Sequence, residues 1–206
     1  MKIKAIEQRI IIKAEELFFK FGYTKTTTED IAREASVSKR TLYKYFRSKS
    51  HILETLIIKL TTIMTNELNR IIQSKSSFPE KLHDALIVER QILSKVSRHF
   101  IEDIQRNVPE VWNELSEFRK DIVNTVFANL LEEGISAGYV NKNINRGIAV
   151  LVMISVTDLI INSSIEKTLP SNLSALIPQG IDNIFEEIIN IIYNGILDKP
   201  ITYNKS

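Results

Sequence analysis

TTTEDIAREASVSKRTLYKYFRSKSH, residues Thr26 to His51, decides how the rest of the chain is read. Thr26, Thr27 and Thr28 each offer a hydroxyl that can accept from the free N–H groups of a first helical turn, and Glu29 and Asp30 follow at its positive end. A helix therefore starts near Thr28. Ile31, Ala32 and Ala35 fall on one stripe at helical spacing, and the two alanines let another helix cross closely. Ser36-Val37-Ser38 is the turn, with Val37 as an apolar plug and Ser38 as the cap of a second helix that begins at Lys39. On a wheel of about 100° per residue, Leu42 and Phe46 lie together while Arg40, Thr41 and Lys44 lie opposite. Tyr43 and Tyr45 take the flanks, each with a ring that packs and a hydroxyl that reaches a phosphate oxygen. Lys49 opens the next helix, capped by Ser48, where backbone N–H groups and an ammonium together form a phosphate site. Any one of these side chains alone would be an ordinary solvated group; their combination is that of a helix wedged between two DNA backbones.

The segments AEELFFKFGY (Ala14 to Tyr23), TTTEDIAREASVS (Thr26 to Ser38) and KRTLYKYFRSKSHIL (Lys39 to Leu53) resemble the TetR (tetracycline-repressor) family of bacterial transcription regulators. Beyond this block only the layout matches. The resemblance implies an all-α fold in which residues 1–48 form a three-helix unit that binds double-stranded DNA, residues 49–73 a connecting helix, and residues 74–206 a larger helical part that dimerises and holds an effector. It implies backbone contacts from Thr28, Tyr43, Tyr45 and Lys49, and base-edge or mixed contacts from Lys39, Arg40, Thr41 and Lys44, with Ser38 in the same DNA-binding set. Many relatives have a small residue in place of Arg40 and a histidine in place of Tyr45. Arg40 can read guanine bidentately or clamp a phosphate, and the sequence leaves both open.

Composition fits this reading. With 206 residues, 44% of them apolar, the chain can bury a sizeable core. The net charge of +2 hides an asymmetry: residues 1–50 carry twelve Lys and Arg against six Asp and Glu, and residues 51–206 fifteen against nineteen. The basic end is the DNA end, so binding is expected to weaken steeply with salt. Cysteine is absent, which excludes disulfides, thiolate catalysis and thiol-ligated metals. His51, His83 and His99 have no metal-ligand spacing, and neither a GxSxG sequence nor a P-loop occurs. No catalytic residue, metal or cofactor is expected. The first eighteen residues are charged throughout and do not read as a signal peptide, and the longest apolar run, Ile148 to Ile161, is broken by Asp158 and too short to span a bilayer. The expectation is a cytoplasmic protein without membrane contact.

Further helices are expected from about Ile3 to Phe21, stopped by Gly22, and from Lys49 to Gln73. The first would bury Ile6, Ile10, Ala14, Leu17, Phe18 and Phe21, and the second Ile52, Leu53, Leu56, Leu60, Ile63, Leu68 and Ile71 or Ile72. After the polar SKSS stretch, Pro79 opens a helical segment to Asn107 with a break near Lys95 to Ser97, and Pro109 another to about Ala137. Gly134 to Gly147 holds the helix end and a loop, a strongly apolar helix follows to about Glu166, and a last one begins near Gly180, with a surface loop between them. Those last two helices carry more apolar face than one small domain needs. Leu151, Ser155, Leu159, Ile184, Ile188 and Ile192 are the expected homodimer interface, and the resemblance adds a four-helix arrangement of the two copies. A two-fold dimer would present its recognition helices about 34–36 Å apart to a palindromic operator.

For a small apolar or amphipathic effector, the resemblance points to the helices between Pro79 and Asn162. Phe100, Trp112, Phe127 and Met153 are the apolar candidates there, and His99, Asp103, Asn124 and Asp158 the polar ones. The leading expectation is a repressor released from its operator by such an effector. The alternative is a DNA-binding regulator or activator controlled by a protein partner, whose C-terminal part would be a filled core.

Overall fold

The computed structural model describes residues 2–161, 169–178 and 180–194, in which helices are joined by turns with no strand among them. The N-terminal unit comprises α1 (Lys2–Phe21), α2 (Thr28–Glu34) and α3 (Lys39–Tyr45). The long α4 (Lys49–Gln73) leads away from it to α5 (Phe78–Leu93), α6 (Arg98–Asn107) and α7 (Pro109–Ile122). A π-helical turn, Val123–Phe127, joins α7 to α8 (Ala128–Ser136) without a break in direction. Then come α9 (Arg146–Ile161), a single-turn α10 (Ser171–Ser174) inside the expected surface loop, and α11 (Ile181–Asn194). Glu166, the expected end of α9, lies outside the described residues.

Caps account for most of these boundaries. Ser48 accepts from the His51 N–H to open α4, and Ser97 accepts from the Phe100 N–H to open α6. Ser77 and Glu80 form a reciprocal capping box at the start of α5, where Pro79 sits in the first turn. The Val123–Phe127 turn has no such marker in the sequence. Within it the Thr125 hydroxyl donates to the Asp121 carbonyl at 2.7 Å, four residues back.

Two cores stabilise the molecule. The first joins Ile10, Ala14 and Phe18 of α1 to Ile31, Leu42 and Phe46, and continues through Ile52, Leu53 and Leu56 of α4 to Phe100 and Ile104 of α6. The second gathers Leu68, Phe78, Leu82, Leu86, Val126 and Leu130, with Ile184 and Ile188 of α11 against it. Two residues expected on buried faces are exposed. Phe21 is the last residue of α1, where the chain turns away at Gly22, and it is 46% exposed. Ile63 lies within roughly 20° of Leu56 on the helical wheel, yet it is 48% exposed because α4 passes from packing on α1 to packing on α5. The buried stripe rotates with that change of partner, through Ile57 to Leu68 and Ile71.

Candidate nucleic-acid interface and interior cavity

The helix-turn-helix is built by short-range polar contacts. Thr27 caps α2: its Oγ1 accepts from the Asp30 N–H at 3.1 Å, and its own N–H donates to Asp30 Oδ2 at 3.2 Å. Hydrogen bonds from the Thr27 side chain, then from Arg33, hold the Asp30 carboxyl below the usual carboxylate range. Ser36 takes φ +51, a left-handed conformation uncommon for a residue with a Cβ. The next N–H, of Val37, donates to the Ala32 carbonyl at 2.9 Å and closes the turn. Ser38 then caps α3 by accepting from the Thr41 N–H at 3.0 Å.

Leu42 and Phe46 are fully buried and fix the roll of α3. That roll leaves Lys39, Arg40, Tyr43 and Lys44 exposed and Thr41 half-buried. Tyr45 packs against the first core, and the Tyr43 hydroxyl lies 3.2 Å from the hydroxyl of the buried Thr28. Lys39 pairs with Glu29 across the turn and sits over the Tyr43 ring at 5.9 Å. The Glu29 hydrogen bond raises the Lys39 pKa, and Lys39 in turn lowers that of Glu29. Lys49 is engaged locally: its ammonium donates to the carbonyls of Tyr23 at 2.9 Å and Thr26 at 3.0 Å, and stands 4.1 Å over the Tyr23 ring. Burial lowers its pKa, and the charge of Asp103 opposes that shift.

The turn that Lys49 holds from one side is held from the other by α6. Asp103, 7% exposed, accepts from the Thr24 N–H at 2.7 Å, from the Thr24 hydroxyl, and from Asn107 Nδ2 at 2.8 Å. Burial raises its pKa, but the hydrogen bonds from Thr24 and Asn107 outweigh it and leave the carboxyl below its usual value. Gly22 is required twice at this contact. Its φ is +89, and a Cβ there would stand 2.8 Å from an Asp103 carboxylate oxygen. Asp103 therefore faces the N-terminal three-helix unit, and the exposed His99 edges the same turn.

The opposite face of α6 lines a cavity. Phe100, Ile101 and Ile104 meet Phe19 of α1, Leu60, Thr61 and Met64 of α4, and residues of α5, α7, the π-helical turn, α8 and α9. Phe19 and Phe100 touch edge to face at 5.1 Å between centroids. The cavity measures about 140 Å³, on a scale where one water needs roughly 10–15 Å³, so it takes a chain of about ten heavy atoms. Ile57 and Leu68 both line it, and eleven residues of helix between them span about 16 Å.

Phe100, Trp112, Phe127 and Met153 all lie in the wall. Asn124 is exposed and absent from it, and the Asp158 side chain is outside the described residues. The charged residues in the wall are instead Glu89 and Arg119. Both were detectable in the sequence, since Glu89 interrupts the stripe Leu82, Leu86, Leu93 and Arg119 continues Trp112 and Leu115 at helical spacing. On the outer face of α9, Ile148, Leu151 and Val152 are more than half exposed, and Ser155 is exposed beside them. Ile184 and Ile188 pack on the second core; the side chains of Leu159 and Ile192 are outside the described residues. Among the described residues no cluster of three or more metal-ligating side chains occurs, and no helix is long and apolar enough to cross a membrane.

A capped helix-turn-helix with an exposed basic and aromatic face, carried on a helical body with an apolar cavity, defines a DNA-binding transcriptional regulator. Residues 10–56 match the model of bacterial regulatory proteins of the tetR family. The match covers the helix-turn-helix unit and the start of α4. The fatty acid metabolism regulator protein of Bacillus subtilis is 22% identical over 191 residues, 90% of this chain and 95% of that protein. Among solved structures, the fatty acid degradation regulator FadR of Bacillus halodurans aligns with a TM-score of 0.67 at 19% identity, over 93% of this chain and 96% of that one. The regulator FadR of Bacillus subtilis in complex with stearoyl-CoA aligns with a TM-score of 0.62 at 21% identity, over 92% and 99%. These structures share the fold.

Proposed function

We propose that this chain is a homodimeric repressor that leaves a palindromic operator when an acyl-type molecule fills its cavity. Residues 1–48 read DNA, residues 49–73 connect, and residues 74–206 hold the ligand and the dimer contact. The observation that carries this reading is the two-faced α6, which contributes Phe100, Ile101 and Ile104 to the cavity wall and Asp103 to the grip on the α1–α2 turn. A ligand that pushes on Phe100, or on Phe19 beside it, acts on α6 or on α1, the helix that ends at the turn gripped by Asp103. A bias of roughly 1–3 kcal/mol between two α6 positions changes operator affinity by about 5- to 150-fold. The cavity favours a ligand-controlled regulator over one with a filled core, and the exposed Ile148, Leu151 and Val152 offer the apolar face a second copy would cover. The relatives named above support an acyl-type ligand, a non-enzymatic role and a cytoplasmic location.

The test is binding of the purified protein to DNA from upstream of its own gene, against random DNA at about 150 mM salt, where a specific site should win by ~10³-fold or more. Tight, salt-sensitive and selective binding is the expected result. If neither that DNA nor any sequence selected from a random pool is preferred over bulk DNA, the reading is wrong.

A further inference from the structure

Glu89 stands out within the cavity. Phe19, Leu60, Met64, Leu82, Leu86 and Trp112 are among the apolar side chains that share its wall. Its carboxyl has no hydrogen-bond or ion-pair partner among the described residues, and no buried polar atom among them lacks one. Glu89 is half-buried, and its carboxyl oxygens are left accessible where the residue lines the cavity. Leaving such a group without a partner in apolar surroundings is costly, and it is retained where a ligand supplies the partner.

Resting on the proposed acyl-type ligand, we infer that Glu89 is the specificity residue of the cavity, donating a hydrogen bond as a neutral acid to a carbonyl or carboxylate oxygen of a medium-length chain. Seven residues of α5 separate Glu89 from Leu82, the first α5 residue in the wall, about 10 Å of helix. C–C bonds of about 1.5 Å advance an extended chain by about 1.25 Å per carbon, so that stretch takes about eight carbons beyond the oxygen-bearing one.

The protonation state agrees with this assignment. Burial pushes the Glu89 pKa up to about 7, against the opposing charge of Arg119, so near neutrality much of it is a donor. Among the described residues no other charged side chain contributes to that shift. From α4 the wall residues Leu60, Thr61 and Met64 carry no charge, Glu133 of α8 is paired with Lys81, and Glu186 of α11 with Arg90. A cationic ligand would instead need the ionised carboxylate, and Arg119 beside it disfavours such a ligand.

The probes are methyl decanoate, decanoic acid and decylamine, titrated into wild type, Glu89→Gln and Glu89→Leu. Trp112, the single tryptophan, lies in the wall and reports occupancy by fluorescence. Methyl decanoate should bind wild type and Glu89→Gln alike, and Glu89→Leu about tenfold more weakly, because only the leucine has no donor. For wild type its affinity should be level below pH 7 and fall above it, while the Glu89→Gln affinity stays flat. Equal binding by all three proteins would overturn the role of Glu89 while leaving the cavity as a ligand site. Preference for decylamine, tightening as pH rises, would overturn it by showing a carboxylate at work. Failure of every probe to bind any of the proteins would remove the ligand reading of the cavity, and Glu89's role with it.

Discussion

Replacing Glu89 by Gln should remove a pH-dependent weakness from the fold. In the native state the group titrates at about 7, against 4.5 for the unperturbed carboxyl. Below pH 4.5 both states hold the proton and Glu89 contributes no pH dependence. Between 4.5 and 7 the native state holds a proton that the unfolded chain has released, so stability falls as pH rises. Above 7 both are ionised and the loss is complete. At about 1.4 kcal/mol per unit, a gap of about 2.5 units corresponds to roughly 3 kcal/mol. Urea unfolding of wild type and Glu89→Gln at pH 5, 6, 7 and 8, at one protein concentration, measures the difference directly, since other titrating groups cancel in it. The variant should gain on wild type progressively up to pH 7 and no further. Parallel curves would refute the reasoning, because they would mean that Glu89 is ionised in the native state at no cost.

Other consequences follow from particular contacts. Arg40→Ala and Lys44→Ala should each leave the unfolding midpoint unchanged and weaken operator binding in a gel-shift titration; a base-reading Arg40 would account for about 1–3 kcal/mol of discrimination against the wrong base. Leu42→Ala removes a fully buried anchor of α3 and should cost about 2–5 kcal/mol in urea unfolding, with DNA binding lost alongside. Gly22→Ala meets both a left-handed backbone and the Asp103 carboxylate, and should lower the melting temperature by several degrees, read by circular dichroism. Leu151→Asp puts a charge on the exposed face of α9, and sedimentation should then give a monomer with its helical content intact.

The helix-turn-helix was largely legible because its determinants are local. Caps at Thr27, Ser38 and Ser48, and the anchors Leu42 and Phe46, act within a few residues of themselves. What the sequence hid depends on contacts distant along the chain. Thr24 and Asp103 are 79 residues apart, so nothing local says that Asp103 faces the α1–α2 turn while Phe100 and Ile104 face the cavity. The Lys49 ammonium is likewise taken by carbonyls more than twenty residues upstream. Ile63 keeps the periodicity of a buried residue and is exposed because the partner of α4 changes along its length. Glu89 and Arg119 were visible as breaks in apolar stripes, a signal that marks a cavity-lining charge only once the helices around it are known.

The most direct test of the account separates the two binding events from their coupling. With an operator fragment selected from random DNA, fluorescence anisotropy with and without methyl decanoate is measured for wild type and Asp103→Asn. For wild type the ligand should lower operator affinity by at least about fivefold. The variant should bind the DNA and the ligand separately but release the DNA much less, because the grip of α6 on Thr24 is weakened. If ligand leaves the wild-type affinity for its operator unchanged while filling the cavity, or if Asp103→Asn responds as wild type does, the claim that α6 carries the signal is contradicted.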